Sequence, residues 1–119
     1  MAGTSSFPRQ HRLRSKVEFD RVFQDGARSS DPYFSVLARP NATGHARLGL
    51  AVAKKSAKRA VDRNRLKRIT RETFRTNRTL PALDFVVSAR AIAVTQSAAV
   101  LRTSLQQLMQ KLVERCARS

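Results

Sequence analysis

The segment KRAVDRNRLKRITRETFR, residues 58–75, holds eight Lys or Arg residues and two acids in 18 positions. At about 100° per residue, Leu66, Ile69 and Thr73 share one arc of a helix, which favours packing of that face on a sheet. The opposite arc carries a row of side chains that we call the cationic ridge: Asn64, Arg68, Arg71 and Arg75. Like charges three and four residues apart repel. The helix is therefore destabilised by its own surface unless an anion lies against it.

The composition of the whole chain indicates which anion to expect. The 119 residues include 24 Lys or Arg and 8 Asp or Glu, for a net charge of +16. Such a surplus draws polyanions. Nucleic acid is the usual partner of such a protein, and an acidic membrane surface is a rarer one. The alternative is that the charged helix face has no partner and is only solvated. Residues 63–75 contain five Arg and one Lys. This choice favours nucleic acid, because the Arg fork binds phosphate through two hydrogen bonds and stacks on bases.

The length and the residue usage predict one domain. Residues 1–8 contain little to bury and are expected to be flexible, which leaves residues 9–119 as a single nucleic-acid-binding domain. The one cysteine, Cys116, permits no internal disulfide and fits a reducing compartment. The sequence shows neither a signal-peptide pattern nor an apolar run of membrane-spanning length, so we expect a cytoplasmic protein.

Local signals place the helices and strands. Ser15 and Glu18 form a capping box before a short helix that ends at Gly26. Two strands, 33–39 and 47–53, are predicted to pair as an antiparallel hairpin. Ser56 is the expected N-cap of the basic helix. A third strand at 84–90 and a final helix at 98–116 complete an α+β sandwich in one domain.

The titratable residues do not form a recognisable catalytic arrangement. His11 and His45 lie in a basic stretch and a turn, and the eight acids are scattered. A two-metal nuclease needs converging carboxylates. Asp84 stands alone at a strand edge and is expected to cap or turn the chain. The sequence therefore predicts a binding protein with no catalytic residue of its own.

The aromatic residues leave two interpretations open. Phe19 and Phe23 share one face of the first helix, and Phe34 opens a strand. Each can pack in the core, or each can line a groove on which unpaired bases stack. Single-stranded RNA is commonly bound in the second way.

Five blocks of the sequence resemble the bacterial ribonuclease P protein subunit: FPRQHRL, EFDRVFQDGAR, RLGLAVAKK, RNRLKRITRETFR and LPALDFVVSAR. The blocks occupy residues 7–90 in the family's order, and the resemblance as a whole runs from about residue 7 to residue 113. The resemblance implies a sandwich of helices on an about four-stranded mixed sheet, with the basic helix in a left-handed crossover between parallel strands. The ordinary rule would give a right-handed crossover.

The resemblance also implies a function. Family members bind a catalytic RNA and help it remove the 5′ leader of precursor tRNA, while the RNA carries the chemistry with Mg²⁺ held mainly by RNA and substrate. The protein is expected to be monomeric apart from RNA. The family's motif positions for binding the RNA subunit are Arg63, Asn64, Arg65, Lys67, Arg68 and Arg71. Those for binding the leader are Phe19, Phe23, Phe34, Lys54 and Lys55. A structural RNA-binding protein of ribosomal type and a protein-only nuclease are the alternatives.

Overall fold

The computed structural model describes residues 11–13, 15–77 and 80–117. The helices are α1 Lys16–Asp25, α2 Ala60–Thr76 and α3 Ala98–Ala117, with a short 3₁₀-helix at Ala91–Thr95. The strands are β1 Ala27–Ser30, β2 Phe34–Pro40, β3 Arg47–Ala51 and β4 Leu83–Ala89. The predicted α+β fold with a four-stranded mixed sheet is confirmed. The predicted flexible segment 1–8 lies outside the described residues.

The strands lie in the order β1-β2-β4-β3, so β4 occupies the centre of the sheet. It pairs antiparallel with β2 on one side and parallel with β3 on the other. Six of its seven residues are buried, as expected of a strand covered on both faces. The predicted β2–β3 hairpin is therefore wrong, because the more apolar β4 lies between those two strands. The short polar strand β1, which the sequence did not predict, pairs with the free side of β2.

The connection between β2 and β3 passes the start of β4 and is fastened to it. The Asn41 backbone N–H donates to the Ala82 carbonyl at 3.1 Å, and the Asn41 side chain donates to the Asp84 carboxylate at 2.7 Å. The connection of residues 41–46 thus skips one strand of the sheet. From β3 the chain continues through α2 to the parallel strand β4. The left-handedness of this crossover stays a prediction.

Helices cover both faces of the sheet. The main core lies between the sheet and helices α2 and α3, and its largest fully buried side chains include Phe34, Phe85, Leu66 and Leu105. A smaller cluster on the other face joins α1 to the sheet through Leu13, Val22, Leu37 and Val86. Strand β3 is an edge strand, so the α1 layer and the α2 layer approach each other around it.

The ends of α1 agree with the sequence, whereas the start of α2 does not. The Ser15 hydroxyl accepts from the Glu18 N–H at 3.2 Å, and the Glu18 carboxylate accepts from the Ser15 N–H at 3.1 Å. This confirms the capping box. The prediction of Ser56 as the α2 N-cap is wrong, because residues 54–56 form a turn and the N-cap is Arg59, which makes no side-chain capping bond.

A group of three charged side chains, which we call the Arg47 cluster, ties α1 to the sheet. Arg47 donates to both carboxylate oxygens of Asp84, at 2.8 and 2.7 Å, and to Glu18 at 2.7 Å. The hydrogen bond to Asp84 is the main cause that raises the pKa of the Arg47 guanidinium. The prediction that Asp84 caps or turns the chain is wrong, because it is a buried strand residue that pairs with Arg47 on the neighbouring strand.

Candidate nucleic-acid interface

Helix α2 divides into the two faces that the sequence predicts. Its buried side chains are Leu66, Ile69, Thr70, Thr73 and Phe74. The two buried threonines each donate a hydrogen bond of 2.8 Å to the carbonyl four residues earlier, so their hydroxyls are satisfied. On the other face Asn64, Arg68 and Arg75 are exposed and Arg71 is half-buried. The cationic ridge therefore projects from a helix that its apolar face holds in place.

Two of the predicted RNA contacts also have partners within the protein. Arg63 donates to the carbonyls of Ala57 and Lys58 at 3.0 and 2.8 Å, which fastens the segment before α2. Arg65 donates to the carbonyl of Gln96 at 2.7 Å, beyond the 3₁₀-helix. Both side chains are half-buried. They position α2 relative to its neighbours, while Arg68 remains exposed on the ridge.

A small cavity at the edge of β3, which we call the edge pocket, brings the two predicted sites together. Its volume is about 190 Å³. It is lined by Arg12, Leu13, Phe19, Leu48, Leu50, Lys67 and Arg71. The segment before α1 runs along the free side of β3, where the Leu13 N–H donates to the Leu48 carbonyl at 2.9 Å. An aromatic ring predicted to bind the leader thus shares a pocket with two cations predicted to bind the RNA subunit.

The electrostatics of the edge pocket favour an anion. The pKa of Arg71 is lowered, mainly because the guanidinium is partly removed from water and also because it lies near the charge of Arg12. Among the ion pairs of the described residues, none involves Lys67 or Arg71. A phosphate at this position would offset the repulsion between these cations.

The three phenylalanines lie in different surroundings. Phe19 is half-buried against the smaller cluster and faces the edge pocket. Phe23, one turn further along α1, is 47% exposed. Phe34 is fully buried in the main core. The prediction that Phe34 binds the leader is therefore wrong for this structure, because its ring offers no surface on which a base could stack.

Gly49 is the position at which β3 admits the Phe19 ring. A Cβ atom at Gly49 would lie 2.6 Å from Phe19 Cε1 and 3.1 Å from Leu13 Cδ1. We expect Gly49→Ala to displace the Phe19 ring and to lower the free energy of unfolding by about 1–3 kcal/mol. Chemical denaturation measures the cost. The control is Gly44→Ala, at a turn glycine with φ 83° where a Cβ meets nothing within 4 Å. It strains the backbone but leaves Phe19 in place, so near-ultraviolet or NMR signals of Phe19 should change only in Gly49→Ala.

The remaining cations near β3 differ in their position relative to the edge pocket. Lys54 and Lys55 are exposed in the turn that follows β3, and neither lines the edge pocket. Arg12, by contrast, was not among the predicted binding residues. Its basic segment was visible in the sequence, but no spacing signal indicates that the segment lies against β3.

Neither a metal site nor a membrane span is found in the part of the chain that the structure describes. There, no three His, Cys, Asp or Glu side chains form a group that could hold a metal ion. Within the same residues, no helix has the length and hydropathy that crossing a bilayer requires.

The chain forms a single α+β domain with an arginine-rich helix in a crossover between parallel strands. Cations and an aromatic ring lie together at the sheet edge. These features define a small basic protein of the nucleic-acid-binding class. The chain belongs to the ribonuclease P protein family. The family model described as Ribonuclease P matches residues 7–113.

Similar proteins and structures agree with this assignment. The ribonuclease P protein component of Methylococcus capsulatus is 50% identical over 114 residues, which cover 95% of this chain and 89% of that protein. The component of Escherichia coli O157:H7 is 43% identical over 107 residues, which cover 89% and 90%. The RNase P protein of Staphylococcus aureus superposes with a TM-score of 0.80 at 30% identity, covering 85% of this chain and 94% of that one. For the Thermotoga maritima protein the TM-score is 0.76 at 33% identity, with coverage of 84% and 96%.

Proposed function

We propose that this protein binds the catalytic RNA of ribonuclease P and the 5′ leader of precursor tRNA, and so promotes removal of the leader. The observation that carries this proposal is the edge pocket, in which Phe19 meets Lys67 and Arg71. One continuous surface can then hold the RNA subunit on α2 and the substrate's leader on α1. The alternative of a ribosomal-type structural protein is not favoured, because the family match spans nearly the whole chain.

The ridge supplies the contact with the catalytic RNA in this proposal. Arg68 and Arg75 are exposed, and Arg71 is half-buried beside Lys67. Guanidinium groups on a rigid helix bind backbone phosphates through paired hydrogen bonds. Each phosphate that they neutralise releases counterions, so the affinity should fall steeply with salt.

The α1 side of the surface supplies the contact with the leader. Phe19 and Phe23 lie four residues apart and therefore on one face of the helix. Stacking of a base on an aromatic side chain contributes about 1–3 kcal/mol. Mature tRNA lacks the leader and cannot make these contacts, so the complex would prefer precursor over product. Lys54 and Lys55 would attract the leader's phosphates.

The phosphodiester chemistry is assigned to the RNA in this proposal. Magnesium ions would be held by phosphates of the RNA subunit and the substrate. The protein's contribution is to neutralise charge, so that two polyanions can approach each other and retain the ions between them.

The test is the affinity of the reconstituted RNA–protein complex for precursor and for mature tRNA. We expect Phe19→Leu combined with Phe23→Ala to reduce the preference for precursor by about 30-fold or more, because two stacking surfaces of at least about 1 kcal/mol each are lost. Leucine at position 19 keeps apolar packing against the sheet. Val17→Ala is the matched control, since Val17 is an exposed apolar residue of the same helix. A preference that stays at the wild-type value in the double variant would place leader recognition elsewhere.

A further inference from the structure

A second concave surface lies between the end of α2 and the middle of α3. We call it the glutamine groove, and its volume is about 600 Å³. It is lined by Thr76, Asn77, Gln106, Gln107, Gln110 and Lys111. All six are polar and none is acidic. None of them belongs to a sequence motif that predicts RNA binding.

The three glutamines of the groove keep their hydrogen-bonding capacity available. In the described part of the chain, none of the three makes a side-chain hydrogen bond to protein: Gln106, Gln107 and Gln110. Each carboxamide offers two donor hydrogens and an acceptor oxygen. Helix α3 is anchored by its buried residues Leu101, Leu105, Leu108 and Leu112. The groove therefore displays donors and acceptors together on a rigid support.

The charge around the groove favours a polyanion. Lys111 has no carboxylate partner among the described ion pairs. Glu72, one turn before Thr76, is paired with Arg102 at 3.7 Å. Arg102 itself lies one turn before Gln106 on α3. The acid nearest in sequence on α2 is thus offset by a cation from α3. Glu114, one turn after Gln110, is exposed and takes part in no described ion pair, so the three cations Arg75, Arg102 and Lys111 exceed the two acids Glu72 and Glu114 by one charge.

The groove lies at the C-terminal end of α2, where the cationic ridge also ends. Arg75, the last residue of the ridge, directly precedes Thr76 and Asn77 in α2 and its C-cap. A ligand that follows the ridge toward the C-terminal end of α2 therefore reaches the carboxamides next. Such a ligand would contact the ridge through its phosphates and the groove through its hydrogen-bonding edge.

We propose that the glutamine groove binds the minor-groove edge of a helical RNA segment whose phosphates lie on the ridge. The minor groove of A-form RNA is wide and shallow and displays 2′-hydroxyl groups, which both donate and accept hydrogen bonds. Carboxamides match this pattern because they also do both. B-form DNA presents a narrower minor groove and no 2′-hydroxyl. The inference rests on the proposed function, since it assumes that RNA occupies the ridge.

The test compares Gln106→Ala/Gln110→Ala with wild type in binding to the catalytic RNA. Alanine is the best helix former and both positions are exposed, so the fold should persist. We expect about tenfold weaker binding, from the loss of several hydrogen bonds of ordinary strength. The slope of log affinity against log salt should not change, because no charge is removed. Lys111→Ala, in contrast, should lower the magnitude of that slope by about 0.7–0.9.

Two controls make the outcome decisive. Gln24→Ala removes an exposed carboxamide from α1, on the other face of the sheet, and should leave binding unchanged. Gln106→Glu/Gln110→Glu places two carboxylates in the groove and should weaken binding more than the alanines do. A plain RNA duplex should also bind more tightly than the DNA duplex of the same sequence, and the alanine pair should reduce this difference.

Binding of the catalytic RNA within twofold of wild type in both the alanine and the glutamate pairs would overturn the proposal for the groove. If ridge variants still lose affinity for the catalytic RNA in that case, the proposed function stands and only the groove does not bind RNA. If wild-type protein does not bind the catalytic RNA at all, the proposed function itself fails.

Discussion

Replacing Arg68 and Arg71 together by alanine is expected to weaken binding of the catalytic RNA by about 100-fold at 0.1 M salt. Two charge-assisted hydrogen-bonded contacts, each of about 1.5 kcal/mol, account for this magnitude. The salt dependence should report the same loss, with a log–log slope smaller in magnitude by about 1.4–1.8 for two phosphate contacts. Filter binding or fluorescence titration over a salt series measures both quantities.

The matched control for this variant is Arg28→Ala/Arg115→Ala. It removes the same net charge from exposed residues of β1 and the end of α3, and β1 is at the opposite edge of the sheet from β3. We expect a small, uniform decrease in affinity from this pair. Equal losses in the two double variants would show that net charge, and not the ridge, determines RNA binding.

The Arg68→Ala/Arg71→Ala variant should be as stable to unfolding as wild type. Partial burial and the charge of Arg12 lower the pKa of Arg71, which means that its charged form is less stable in the folded protein than in water. Removing that charge relieves the repulsion. Loss of RNA affinity without loss of thermal stability would therefore separate binding from folding.

Asp84→Asn is expected to lower the free energy of unfolding by about 3 kcal/mol. Removing one partner of a buried ion pair leaves an uncompensated charge, and such changes cost about 3–5 kcal/mol. Asp84 is 6% exposed and Arg47 is 16% exposed at the side chain, and Arg47 keeps Glu18 as a partner, so the lower end applies. Urea denaturation at neutral pH measures the difference.

The control for this prediction is Asp20→Asn. Its ion pair with Lys16 at 2.9 Å lies on the surface of α1, with side chains 47% and 86% exposed. Exposed pairs of this kind contribute little, so no measurable change is expected. If Asp84→Asn proves as mild as Asp20→Asn, the buried ion pair of Arg47 and Asp84 does not stabilise the sheet.

The features that sequence predicted best depend on neighbours in the chain. The capping box of Ser15 and Glu18, the end of α1 at Gly26 and the two faces of α2 all follow from spacings of three or four residues. Such spacings act within one helix and need no knowledge of the rest of the fold.

The features that sequence missed depend on which distant segments meet. Alternating apolar residues mark β2 and β3 as strands, but they do not reveal that β4 lies between them. Asp84 was predicted to cap or turn the chain because its partner, Arg47, lies 37 positions away and local spacing does not reveal the pair. Arg12 joined the candidate site only through the pairing of its segment with β3.

The central position of β4 has a consequence for how the protein is made. Both β2 and β3 need β4 as a neighbour, and β4 ends at Ala89, three quarters of the way along the chain. During synthesis only β1 and β2 can pair early, while β3 must wait for the residues that follow α2. Non-local pairing of this kind slows folding. The sheet, the edge pocket and the ridge should therefore form together in one late step, once the ribosome has released the last strand.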